Sequence, residues 1–137
     1  MVKAKKYVID KPFHGLVTDE NIKLVEEDLP ALQDGDVLFE ALYLSVDPYM
    51  RPYLREAKSG TPMIGEQLAK VTDSKNKDYK VGQLCLVNSG WRTHTILNPS
   101  KTEIRIKQVK EYPGVPISLS LGTLGMPGAT AYLGVFE

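Results

Sequence analysis

Six short apolar runs, each bounded by residues that favour turns, constrain the fold of this chain more than any other feature. They occupy residues 5–9, 22–26, 37–46, 67–72, 83–87 and 93–97. Between them lie Lys11-Pro12, Leu29-Pro30, Asp34-Gly35-Asp36, residues 73–78, Ser89-Gly90 and Asn98-Pro99. Proline there presets φ, glycine admits positive φ, and Asp or Asn bonds its own backbone. Such runs predict an antiparallel sheet or small barrel and argue against a helical bundle. The run 37–46 is apolar on both faces, with Val37, Phe39, Ala41 and Tyr43 alternating with Leu38, Leu42, Leu44 and Val46, which predicts a central strand.

Three helical segments interrupt the pattern. At Asp47-Pro48-Tyr49-Met50-Arg51 the aspartate is placed to cap a short helix and Pro48 to fill its first position, with Pro52 limiting its regularity. Pro116 is expected to open a second over residues 117–124, and Pro127 a third, with Ala131, Leu133, Val135 and Phe136 as its apolar contacts. That last pattern still runs at Glu137, without a glycine cap or following proline. It reads equally as an interrupted helix and as a short terminal helix docked on the barrel.

The 137 residues carry 17 basic and 17 acidic side chains. A chain of this size buries roughly 68% of its extended surface, enough for one core without disulfides or a structural metal. The balanced, interspersed charge supplies no field for a phosphate backbone or an anionic membrane surface, so neither nucleic acid nor membrane is an expected partner. No run approaches the length of a membrane span, and the basic start is followed by too short an apolar stretch for a signal peptide. Cys85, the one cysteine, sits in an apolar run with no partner, which fits a buried thiol in a reducing, cytoplasmic setting.

Zinc is not expected, because His14, His94 and Cys85 are scattered. No Gly-x-Ser-x-Gly elbow is present either. The stretch Gly122-Thr123-Leu124-Gly125-Met126-Pro127-Gly128 has the wrong spacing and no preceding strand for a dinucleotide fingerprint. It reads instead as a tight helix-to-helix turn, or as a place where backbone approaches a flat ring. Tyr49 and Trp91 stand out as aromatics beside turn residues, where function concentrates.

Several separated segments resemble one family. They are Phe39-Glu40-Ala41-Leu42-Tyr43-Leu44-Ser45-Val46-Asp47-Pro48-Tyr49-Met50-Arg51, Ser74-Lys75-Asn76, Ser89-Gly90-Trp91-Arg92-Thr93-His94, and most specifically residues 117–132, ISLSLGTLGMPGATAY. In this order they are similar to the N-terminal part of the prostaglandin reductases (15-oxoprostaglandin 13-reductases, leukotriene B4 12-hydroxydehydrogenases), zinc-independent medium-chain dehydrogenases/reductases. The resemblance spans essentially the whole chain. Where the zinc enzymes carry a cysteine before the short helix and a Gly-His-Glu motif, this chain has Val46-Asp47-Pro48-Tyr49 and Ile64-Gly65-Glu66.

The resemblance implies a mainly β fold with short helices, a GroES-like, partly open β-barrel over residues 1–126. Residues 127–137 would start the helix leading into a nucleotide-binding Rossmann domain, which is absent from this chain. It implies NADPH-dependent reduction of α,β-unsaturated ketones and aldehydes, with leukotriene B4 oxidation as a further activity. The main NADPH site would lie outside the chain, no metal would take part, and the full-length protein would be a homodimer. The catalytic groups would lie outside these residues. Within them, Tyr49, Trp91, Arg51 and Arg55 would meet a lipid enone or enal, and Tyr49, Met126 and Thr130 would pack near the nicotinamide. The competing expectation is a truncated, non-catalytic isoform that binds a hydrophobic ligand or a protein. Such a module should cover the apolar face of residues 129–136. A co-chaperonin role, suggested by fold alone, is weaker still.

Overall fold

The computed structural model describes residues 2–12 and 15–136. His14, one of the two histidines counted above, lies outside them. The elements are β1 (Lys3–Ile9), β2 (Ile22–Asp28), β3 (Val37–Leu44), α1 (Met50–Glu56), β4 (Gln67–Ser74), β5 (Leu84–Val87), β6 (His94–Leu97), β7 (Ile106–Gln108), a 3-10 helix (Ile117–Leu121) and α2 (Met126–Phe136). All six predicted runs are strands, and β7 is an addition that the sequence did not announce.

Two antiparallel sheets form. β1 pairs with β2, and the larger sheet runs β6-β3-β4-β5-β7. The outer edge of β1 also bonds to two loop segments: Ile9 N–H donates to the Thr61 carbonyl (2.8 Å), Tyr7 N–H to the Trp91 carbonyl (2.9 Å) and Thr93 N–H to the Lys5 carbonyl (2.8 Å). Ala41 N–H reaches the Thr93 carbonyl at 2.8 Å, joining this edge to β3. The result is a mainly β, partly open barrel with two α-helices, as the family resemblance implied.

β3 is central, between β6 and β4, as its two-faced pattern predicts. Its first half is buried on both sides. Val37 and Phe39 join Ala69, Val71, Cys85 and Val87 in the main core, whereas Leu38 packs with Ala4 and Leu29. The second half departs from expectation: Leu42, Tyr43 and Leu44 are exposed. Pairing with β6 stops at Glu40 opposite His94, so the strand runs past the end of its neighbour. The strand also ends at Leu44 rather than Val46.

The helix starts differ from expectation as well. Asp47 does not cap α1 through its side chain; its carbonyl accepts the Met50 N–H at 3.1 Å, and Tyr49 occupies the N-cap in helical geometry. Pro48 therefore precedes the helix, and Pro52 falls within the first turn, where a missing N–H costs little. Pro116 is the N-cap of a 3-10 helix that ends at Leu121, because Gly122 leaves helical dihedrals (φ −120°, ψ −109°). α2 begins at Met126, one residue before Pro127. The glycine-rich turn between them is tight: a Cβ on Gly128 would stand 1.8 Å from the Thr123 carbonyl oxygen.

The Ser74-Lys75-Asn76 motif pins two loops together. Asn76 donates through Nδ2 to the Gly35 carbonyl (3.2 Å), and Lys75 Nζ to the Leu32 carbonyl (2.6 Å). Cys85 is fully buried, and burial pushes its thiol pKa from 9.0 up to about 11. A thiol held neutral in the fold stabilises it below the unfolded pKa, and that contribution fades as pH rises through the folded value. Stability should therefore decline between about pH 9 and 11. Urea melts should show that slope, and Cys85→Ala should flatten it.

Candidate functional site

Ser45, just past the end of β3, is the junction on which the site is built. Its N–H donates to the Glu66 carbonyl (2.8 Å), its Oγ accepts the Glu66 N–H (3.0 Å), and its carbonyl accepts the indole N–H of Trp91 (3.0 Å). Three segments distant in sequence are thereby held at one point. Gln67, fully buried at the start of β4, adds a second clamp by donating through Nε2 to the carbonyls of Gly90 and Arg92. Sequence reasoning passed over Gln67, since a polar residue opening a strand is an ordinary sight.

The clamps hold Trp91 against Met50, Met63, Leu54 and Ile9, with Tyr7 edge-on at 5.9 Å. Glycine makes the approach possible: a Cβ on Gly65 would lie 2.9 Å from the indole nitrogen. Trp91 is thus both part of the core rim and a wall of an open cleft of about 260 Å³. That cleft is otherwise lined by Met50, Arg51 and Leu54 of α1, by Asp47 and Val46, and by Met63, Ile22 and Val17. Its wall is apolar apart from Asp47 and Arg51.

Tyr49 lies between two lining residues of this cleft, at the N-cap of α1, and is 42% exposed. Partial burial raises its phenol pKa, and the carboxylates of Asp47 and Glu66 add to the shift. The hydroxyl is therefore a hydrogen-bond donor at neutral pH, and its ionisation is pushed above the ordinary phenol range. Glu66 is itself raised, first by burial and then by Asp47, against the lowering influence of Arg105 and Lys107. The sequence marked Asp47 only as a helix cap and Glu66 only within a motif, neither as a charge beside Tyr49.

Arg51 also lines the cleft, and its Nη2 donates to the Gly15 carbonyl at 2.7 Å, which ties the 15–18 loop to α1. Arg55 sits one turn further along α1 and is exposed. Met126 and Thr130 belong to a different surface. They lie on α2, exposed, and Thr130 Oγ1 donates to the Met126 carbonyl at 2.9 Å. The groove beside them, about 770 Å³, is lined by residues of the 122–132 segment rather than by Tyr49, Trp91 or Arg51. Of these residues Arg51 and Trp91 line one cleft; Tyr49, Arg55, Met126 and Thr130 are not among its lining residues.

α2 has no buried residue, and Tyr132, Leu133, Val135 and Phe136 all face outward. The apolar contacts expected of Ala131, Leu133, Val135 and Phe136 are not made with the barrel. Among the described residues, no group of three or more His, Cys, Asp or Glu side chains is placed to hold a metal ion. No helix of the described residues is long and apolar enough to cross a membrane.

Gln67→Leu removes both clamps on residues 90–92, leaving the Gly90 carbonyl only its bond from the Arg92 N–H and the Arg92 carbonyl without its bond from Gln67. A loss of about 2 kcal/mol is expected in denaturant melts, because unmade bonds to buried backbone groups forfeit the desolvation cost. Trp91 is the one tryptophan of the chain, so a red-shifted emission should accompany the loss.

Comparisons with known proteins agree with this architecture. Residues 5–104 match the family model described as the N-terminal domain of oxidoreductase. Prostaglandin reductase 1 of Oryctolagus cuniculus is 48% identical over 138 residues, covering 100% of this chain and 39% of the relative. The NADP(+)-dependent 2-alkenal reductase of Nicotiana tabacum is 35% identical, covering 99% of this chain and 40% of its own length. The crystal structure of CurA from Vibrio vulnificus in complex with NADPH superposes with a TM-score of 0.78 at 34% identity, over 96% of this chain and 40% of that one. This chain spans about 40% of the length of these relatives. The chain therefore belongs to the family of N-terminal domains of oxidoreductases, and over its whole length it is similar to prostaglandin reductases.

Proposed function

We propose that the chain is the substrate-side portion of an NADPH-dependent reductase of α,β-unsaturated ketones and aldehydes, with 15-oxoprostaglandins and 2-alkenals as substrate classes and leukotriene B4 oxidation as a second activity. The observation that carries this reading is the apolar cleft walled by Trp91 and α1, whose lining includes Asp47 and Met50, the residues on either side of Pro48-Tyr49 in the chain. An enone offers one polar oxygen and an apolar tail; the cleft supplies the apolar wall for the tail, and the oxygen is assigned to the half-exposed phenol of Tyr49, next to Met50 in the chain.

When bound, NADPH supplies the hydride that reduces the β-carbon; a proton then completes the α-carbon. This chain fits one end of that cofactor. Met126 and Thr130 are exposed on α2, in the same segment as the glycines Gly122, Gly125 and Gly128 that line a broad groove, which would suit the face of a flat nicotinamide ring. Its pyrophosphate would be held beyond residue 137, by a nucleotide-binding domain into which α2 leads. The exposed apolar face of α2 supports that division at residues 126–127, since a self-contained module would cover it. Tyr49 orients the carbonyl by donating a hydrogen bond that strengthens as the oxygen gains enolate charge. Trp91 packs the tail and excludes water. Arg51 and Arg55, four residues apart on α1, face a distal carboxylate where the substrate is a fatty acid. The protein so completed would be a cytoplasmic homodimer using no metal.

Expression of the complete reading frame, followed by incubation with NADPH and a series of enals and 15-oxo fatty acids, tests this. Saturated carbonyl products and a preference for NADPH over NADH are expected. A protein that consumes no NADPH with any enone overturns it.

A further inference from the structure

The geometry points to Trp91 as a fixed stop that sets how long a substrate tail this protein accepts. This deepens the reading above and rests on it. On the near side of the indole is the 260 Å³ cleft lined by Asp47, Met50 and Arg51. A second apolar cleft, of about 220 Å³, is lined by Leu24, Leu42, Tyr43 and Leu44 with Tyr7, and its rim carries Lys5 and Arg92. Trp91 is the one residue common to both linings.

The two clefts follow each other along one seam. β2 gives Ile22 to the first and Leu24 to the second, and the chain leaving β3 gives Val46 to the first and Leu44 to the second. Residues two apart on a strand share a face and are separated by about 7 Å. The seam would therefore continue as one apolar channel if Trp91 did not cross it.

Trp91 is held too firmly to act as a swinging gate. Its indole N–H is bonded to Ser45, its N–H donates to the Met63 carbonyl (2.9 Å), and its carbonyl accepts the Tyr7 N–H (2.9 Å). Gly65 leaves no room for the ring to retreat past residue 65 without meeting backbone. The exposure of Leu42, Tyr43 and Leu44, where β3 runs past the end of β6, then has a consequence: an apolar cleft lies beyond the stop.

Isothermal titration of the chain with saturated 2-alkanones of increasing length reads this without turnover. In the wild type, affinity should rise about fourfold per methylene and then level off at one length. Trp91→Ala should move that plateau out by several methylenes, Trp91→Phe should keep it, and Leu24→Trp added to Trp91→Ala should restore it. If Trp91→Ala does not fold, Leu24→Trp with Trp91 intact decides the matter. An unchanged plateau supports the stop, and a shortened one shows that tails already pass Trp91 and overturns it. Wild-type binding with a plateau indifferent to every Trp91 variant also overturns the stop while leaving the enone reading in place. No alkanone binding at any length counts against both.

Discussion

Gly90→Ala should cost about 4 kcal/mol and leave little folded protein at physiological temperature, as the sum of two effects at one position. The backbone there has φ +80°, a region that charges a side chain about 1–2 kcal/mol. A Cβ would also stand 2.3 Å from the Met63 carbonyl oxygen, and that carbonyl already accepts the Trp91 N–H. The clash cannot be relieved by a rotamer, because the obstructing atom is backbone. Thermal melts of wild type and variant measure the effect. A loss under 1 kcal/mol would show that residues 63–65 and 90–92 are not the rigid pair described above.

The second large effect is on activity. Tyr49→Phe in the complete reductase should lower kcat about 100-fold toward enones, the scale seen when a donor to a developing oxyanion is removed. KM should change far less, since the ring and its contacts remain. Because the Tyr49 pKa is raised, the wild-type enzyme should keep this donor to pH values above the usual tyrosine range, so its alkaline limb should not begin at the ordinary phenol value. Steady-state kinetics across pH for both proteins gives the comparison. An unchanged kcat in the phenylalanine variant would assign Tyr49 a packing role only.

Much of this site could be read in the sequence, and for physical reasons. Alternating apolar runs with proline and glycine between them record strand periodicity directly, which is why β1 to β6 fell where expected. β7 did not, because its three residues, Ile106, Lys107 and Gln108, are too few to show a period. The burial of β3 was overestimated past Glu40, since a strand's composition does not say where its neighbour ends. Tyr49 and Trp91 were visible as aromatics out of place among turn residues. The grip on Trp91 was not visible: Ser45 and Gln67 act through contacts 46 and 23 to 25 residues away, and no local pattern encodes a hydrogen bond at that separation. Asp47 was noticed as a cap and proved instead to be a charge beside Tyr49. The grouping of Met126 and Thr130 with Tyr49 came from family resemblance alone, which no local pattern in the sequence encodes.

The fate of hydrogen from labelled cofactor tests the functional claim most directly. The complete protein would be given a 2-alkenal and NADPH carrying deuterium at the transferable position, and the product examined by mass spectrometry and NMR. Deuterium on the β-carbon of a saturated aldehyde is the expected result. Deuterium on the carbonyl carbon, in an allylic alcohol that keeps its double bond, would contradict it and make the protein a carbonyl reductase instead.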